Sequence, residues 1–113
     1  MKFEENKFYH IYNRGNNRGL IFFEDENYIF FLKKLRNHLY PLVDIVAFCL
    51  MPNHFHLMIH TNSPGDSESP GELSKNITNA IAAILRSYTR AINKKFERTG
   101  SLFQQSNLTK CKR

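Results

Sequence analysis

Cysteine is scarce in this chain. Cys49 and Cys111 are the only two among 113 residues, too few for a disulfide framework. They read as reduced thiols, and the expected location is the cytoplasm. Long apolar runs are missing as well. No stretch approaches the roughly 18 apolar residues that a membrane-spanning helix needs. Met1-Lys2-Phe3-Glu4-Glu5-Asn6-Lys7 has no apolar run behind it and does not read as a secretory signal. The sequons at Asn76 and Asn107 then carry no expectation of glycosylation. Acids are the minority charge: 10 Asp and Glu stand against 16 Lys and Arg, a formal net charge of +6. A small basic domain of this kind suits a polyanionic partner, although solubility alone would use the same charge. The length leaves room for one domain, and no internal repeat is visible.

Periodicity divides the chain into elements. Phe8 to Asn13 is aromatic and β-branched and is expected to be a strand. Arg14 to Gly19 follows as a loop with two glycines and two arginines. Asp25 to Leu39 has helical spacing at Tyr28, Phe31, Leu32, Leu35 and Leu39, a cap at Glu24 or Asp25, and a stop at Pro41. Val43 to Leu50 reads as a well-buried strand. A turn at Met51-Pro52-Asn53 joins it to His54–His60, which alternates strictly. Thr61 to Gly71 reads as a mobile loop. Glu72 to Lys95 carries an apolar stripe of Ile77, Ile81, Ile84, Leu85, Tyr88 and Ile92, the mark of a second helix. Ser101 to Gln104 is expected to be a short strand. The expected architecture is α+β: a ferredoxin-like split βαβ, with an antiparallel sheet and both helices on one face. That fold hosts many functions and decides none.

His54-Phe55-His56 is the sharpest chemical feature. Residues two apart on a strand share a face, so both imidazoles can reach one ion while Phe55 enters the core. Imidazole suits Mn, Zn, Fe or Ni better than Mg. His60 lies two same-face steps beyond His56 and is expected to stand apart. His10 can approach the pair if the first strand neighbours the third, most simply as a hydrogen-bond partner. Arg14 and Arg18 on their loop, and Arg86, Arg90 and Lys94 spaced four apart on the second helix, are candidate DNA-backbone contacts. Cations near a helix C-terminus also favour the helix dipole without any ligand. Phe22, Phe23 and Phe103 are candidates for stacking on unpaired bases.

The segment Cys49-Leu50-Met51-Pro52-Asn53-His54-Phe55-His56-Leu57-Met58-Ile59 resembles the signature of the IS200-like tyrosine transposases. These include the group associated with repetitive extragenic palindromes (REP) and are HUH single-strand nucleases, where U is a bulky apolar residue, here Phe55. Phe8 to Gly15, Tyr88 to Lys95 and Arg98 to Gln104 resemble further blocks of the family in the family's order. The resemblance covers residues 3–105. It implies that His54 and His56 hold Mg²⁺ or Mn²⁺ against the scissile phosphate of single-stranded or hairpin DNA. It further implies a tyrosine nucleophile that leaves a 5′-phosphotyrosine and a free 3′-OH, and a homodimer.

The family's nucleophile lies on a later helix carrying a Tyr-Ile-His-x-Asn-Pro-like segment, which this sequence does not contain. Residues 1–105 are therefore expected to form a C-terminally shortened HUH domain, and 106–113 a basic tail, disordered over Lys110–Arg113. Tyr88 is the internal candidate nucleophile, set against a plain packing role in the apolar stripe. Two other readings compete: a non-catalytic single-stranded nucleic-acid-binding module, and a small metal-binding protein using the two histidines alone.

Overall fold

A computed structural model describes residues 2–62, 70–105 and 108–112, with only the backbone of 70 and of 108–112. Its elements are β1 (Phe8–Arg14), α1 (Asp25–Lys34), β2 (Asp44–Met51), β3 (His54–His60), α2 (Pro70–Lys95) and β4 (Leu108–Lys112). The strands form one sheet in the order β2-β3-β1-β4, every neighbouring pair antiparallel. β1 and β2 are thus parallel with β3 between them, and α1 makes the crossover. This is the split βαβ order that the sequence pattern predicts.

Alternation decides what the sheet buries. Tyr9, Ile11 and Asn13 of β1 and Phe55, Leu57 and Ile59 of β3 are buried on one face. Phe31, Leu35 and Leu39 meet them from the first helix, and Ile77, Ile81, Ile84 and Tyr88 from α2. Each fully buried aliphatic or Phe side chain among these contributes about 1.5–3 kcal/mol through its removal from water. The opposite face carries His10, Tyr12, His54, His56, Met58 and His60, all half-buried.

The first helix begins at Glu24, as expected, but its cap depends on Asn27. Asn27 Oδ1 accepts from Phe23 N at 2.8 Å and Glu24 N at 3.0 Å, and the residue is only 4% exposed. Asn27→Ala leaves both donors without this acceptor and is expected to cost about 1–3 kcal/mol in urea denaturation. An unchanged midpoint would refute the assignment. α1 runs into a π-helical turn, Leu35–Leu39, closed by Tyr40 N on Leu35 O at 2.9 Å. The single helix expected over residues 25–39 is therefore one continuous piece with a wider last turn.

Four expectations change. β2 is an edge strand and mostly exposed, with Val46 at 53% and Phe48 at 55%; two helices cover the sheet's centre and leave this border open. Ser101–Gln104 is no strand: Leu102 and Phe103 are both buried, so the segment does not alternate, and only Gly15 and Phe103 form a bridge. The fourth strand is instead β4, in the expected basic tail and running through Lys110–Lys112, which were expected to be disordered; the outer edge of β1 offers it unpaired backbone groups. Of the loop expected at 61–71, residues 63–69 lie outside the described residues, Pro70 and Gly71 belong to α2, and Thr61 is buried, its Oγ1 donating to Glu4 O.

Candidate metal and nucleic-acid site

The β1–β3 register assembles the site. Tyr12 stands opposite His56, and Arg14 opposite His54, on the face without helices. Phe55, between the histidines, is 2% exposed in the core. The His-x-His spacing thus presents both imidazoles on one side, as the alternation requires. His60 stands apart, as expected: its Nδ1 is 3.9 Å from Asp44 Oδ2 and its ring packs on Phe8.

Both histidines are held at Nδ1. His54 Nδ1 donates to Asn53 Oδ1 at 2.7 Å, which leaves the lone pair of His54 on Nε2. His56 Nδ1 lies 2.8 Å from His10 Nε2, the contact made possible by β1 neighbouring β3. Burial, and secondarily His54, hold the His56 imidazole below its ordinary value. The neutral ring is the form that binds a metal. Among the described residues no group of three or more His, Cys, Asp or Glu gathers in metal-binding geometry. His54 and His56 would supply two nitrogen ligands to a divalent ion, a donor type that suits Mn²⁺ better than Mg²⁺.

A cleft of about 460 Å³ adjoins the pair, lined by Tyr12, Arg14, Arg18, Asn53, His54 and His56 among others. The loop bearing Arg18 is fixed by its backbone. Gly15 N donates to Asn53 O at 2.9 Å, Ile21 N to Pro52 O at 2.8 Å, and Asn16 N to Leu102 O at 2.9 Å. A Cβ on Gly15 would lie 1.9 Å from Gly19 O, so only glycine fits this turn. Asn17 and Arg18 take left-handed backbone angles, at φ 54° and 62°. Arg14 Nε donates to Gln104 Oε1 at 2.9 Å, which fixes one side of its guanidinium.

Arg86 and Arg90 do not join this cleft. They line a groove of about 560 Å³ between α2 and residues 101–105, on the helical side of the sheet. The two sites meet at Asn13, which lines both, and through the Arg14–Gln104 bond. Lys94 is exposed on the last turn of α2, and its neighbour Lys95 pairs with Glu24 and Glu26. Phe22 and Phe103 are core residues, which removes them from the expected base-stacking trio, whereas Phe23 is exposed and packs one side on Phe96. A larger cleft, about 740 Å³ beside Phe3 and Leu73, holds none of the expected site residues.

Tyr88 lies in the core, not at the histidines. It is fully buried, its hydroxyl donates to Ile21 O at 2.6 Å, and its ring meets Phe31 edge-on. Burial, then Tyr28, pushes its phenol above the ordinary range, opposite to what a nucleophile needs. Tyr12 is the tyrosine that lines the cleft, in ring contact with His10 at 4.6 Å and His56 at 5.7 Å. Asn53 and Gln104 are site residues that the sequence reading missed. Asn53 had a signal, since an Asn directly before the first histidine is within reach of its ring; Gln104 had none.

No family model matches the chain, and no curated protein matches it. Solved structures do. One is a REP-associated tyrosine transposase bound to a REP hairpin, at TM-score 0.62 and 16% identity, over 100% of this chain and 59% of that one. Another is a candidate transposase from Deinococcus radiodurans, at TM-score 0.61 and 19% identity, over 96% of this chain and 80% of that one. The chain spans 59% of the length of the first of these. Identities this low speak for architecture, and the architecture agrees in strand order and helix placement with the expectation above. The chain shares the α+β, split βαβ fold of these two transposase structures.

Proposed function

We propose that this chain binds single-stranded or hairpin DNA on its open sheet face and supports metal-assisted cleavage and rejoining of the strand through a phosphotyrosine. The observation that carries this reading is the His54–His56 pair, each ring held at Nδ1, with Arg14 directly across the sheet. A divalent ion, Mg²⁺ or Mn²⁺, held by the two imidazoles would stabilise the charge that develops on the phosphoryl oxygen. Arg14 and Arg18 neutralise phosphates flanking the scissile one. Tyr12 offers a ring on which an unpaired base can stack. Arg86, Arg90 and Lys94 extend backbone contacts around the end of the sheet. Attack by a tyrosine oxygen on phosphorus breaks the P–O3′ bond and leaves a 5′-phosphotyrosine and a 3′-OH. The proposal includes a homodimer, for which the uncovered apolar edge of β2 offers a pairing surface, and a cytoplasmic location beside the DNA.

The test is covalent capture. The chain is mixed with end-labelled hairpin DNA and Mn²⁺ and run on a denaturing gel. A metal-dependent adduct would establish cleavage by this chain, and peptide mapping would identify its tyrosine, a role that buried Tyr88 does not fill. DNA retention on a native gel without an adduct would replace this reading by a second one, a non-catalytic binding module. The ring contacts of Tyr12 beside a basic cleft favour that alternative.

The arginines make a separate prediction. Arg14→Gln and Arg18→Gln are expected to weaken binding of all single-stranded sequences alike. Each should reduce the slope of log affinity against log salt by roughly 0.7. A salt titration by fluorescence anisotropy reads this directly, and unchanged slopes would remove both residues from the interface.

A further inference from the structure

We propose that His10 is a positioning residue that holds His56 in its Nδ1–H tautomer, so that the lone pair of His56 sits on Nε2. The purpose of this arrangement rests on the metal reading above, but the tautomer is a property of the metal-free chain. His10 Nε2 and His56 Nδ1 are 2.8 Å apart, and the two ring planes differ by 16°. One of these nitrogens donates and the other accepts, since two lone pairs or two protons cannot share so short a contact. If His10 donates, the remaining proton of neutral His56 sits on Nε2 and that atom cannot bind an ion. If His10 accepts, Nε2 carries the lone pair.

The neighbouring ring favours the second arrangement. Asn53 Oδ1 is an acceptor, and it sets His54 as Nδ1–H. His10 as acceptor gives His56 the same state, so that the two rings offer matching Nε2 donors from one strand face. A histidine that binds a metal ordinarily donates its other N–H to a neighbouring acceptor, which fixes tautomer and ring direction together. Here that acceptor comes from a different strand, two residues from the one paired with His56, and Tyr12 packs against His10 at 4.6 Å to hold it.

The test is ¹⁵N NMR of the imidazoles in the metal-free chain at about pH 8, well above the ordinary imidazole value of about 6.5. Wild-type His56 is expected as Nδ1–H. His10→Phe keeps a ring but removes the acceptor, and the proton of His56 is expected to redistribute toward Nε2. His10→Gln restores an acceptor and is expected to restore Nδ1–H. An Nε2–H signal for wild-type His56, or identical spectra for wild type and His10→Phe, would overturn the proposal. Mn²⁺ binding is read separately: His10→Phe should weaken it about 10- to 100-fold and His10→Gln by much less. A wild-type chain that shows the Nδ1–H state yet binds no Mn²⁺ would support the role of His10 and refute the metal reading.

Discussion

Replacing His54 and His56 together by alanine is expected to weaken Mn²⁺ binding by more than about 100-fold and to abolish any DNA adduct. Loss of a partner one shell out costs 10- to 100-fold, and loss of the ligands themselves costs more. The fold should survive. Both side chains are half-buried on the face without helices, and Phe55, which belongs to the core, is untouched. Thermal stability is therefore expected to move by no more than about 1 kcal/mol. DNA affinity without metal should stay near wild type, because Arg14, Arg18 and Tyr12 remain in the cleft. Calorimetric titration with Mn²⁺ and a salt-matched DNA titration separate the two functions. Near-wild-type Mn²⁺ affinity in the double variant would place the ion elsewhere and end the HUH reading of this chain.

Tyr88 is expected to behave in the opposite way. Tyr88→Ala removes the aromatic ring at the centre of the core and should cost about 3–5 kcal/mol. A domain of this size has only about 5–15 kcal/mol in total, so the loss is a large fraction of its stability. Tyr88→Phe keeps the ring and removes only the hydrogen bond to the Ile21 carbonyl, for an expected loss of about 1–2 kcal/mol. Urea denaturation distinguishes the variants. A catalytic tyrosine would give the reverse pattern, with stability intact in Tyr88→Phe and the adduct gone. That outcome would contradict the burial of the side chain and the satisfied hydroxyl.

The two predictions differ because one sequence pattern carries two kinds of information. Helical spacing placed Tyr88 in an apolar stripe with arginines beside it, and both a packing and a chemical role fitted. Only the packing of α2 over β1 and β3 shows where the hydroxyl goes: to the backbone of residue 21, distant in sequence but adjacent in space. The histidines posed no such ambiguity. A period of two in a strand fixes sidedness locally, so His54 and His56 had to share a face whatever the rest of the chain did.

What the sequence determined by itself was therefore local. The bounds of β3, the apolar stripes of both helices, the shared face of the two histidines and the excess of positive charge all follow from short-range periodicity and composition, as do the bounds of β1 except for Arg14, which was expected on the loop and instead closes the strand opposite His54. The tertiary structure decided neighbours. It set β1 against β3, and so brought Arg14 opposite His54, Tyr12 opposite His56 and His10 within hydrogen-bond distance of His56. It left β2 at the sheet's edge although its sequence is as apolar as a buried strand. It made a strand of residues 108–112 and not of 101–104, because the outer edge of β1 needed backbone partners over several consecutive residues. It also sent Arg86 and Arg90 to a groove on the other side of the sheet from the histidines. Which face a side chain takes is settled by the dihedral angles of its own strand. Which residue it meets there depends on strand order, and strand order is set by pairing between segments far apart in the chain.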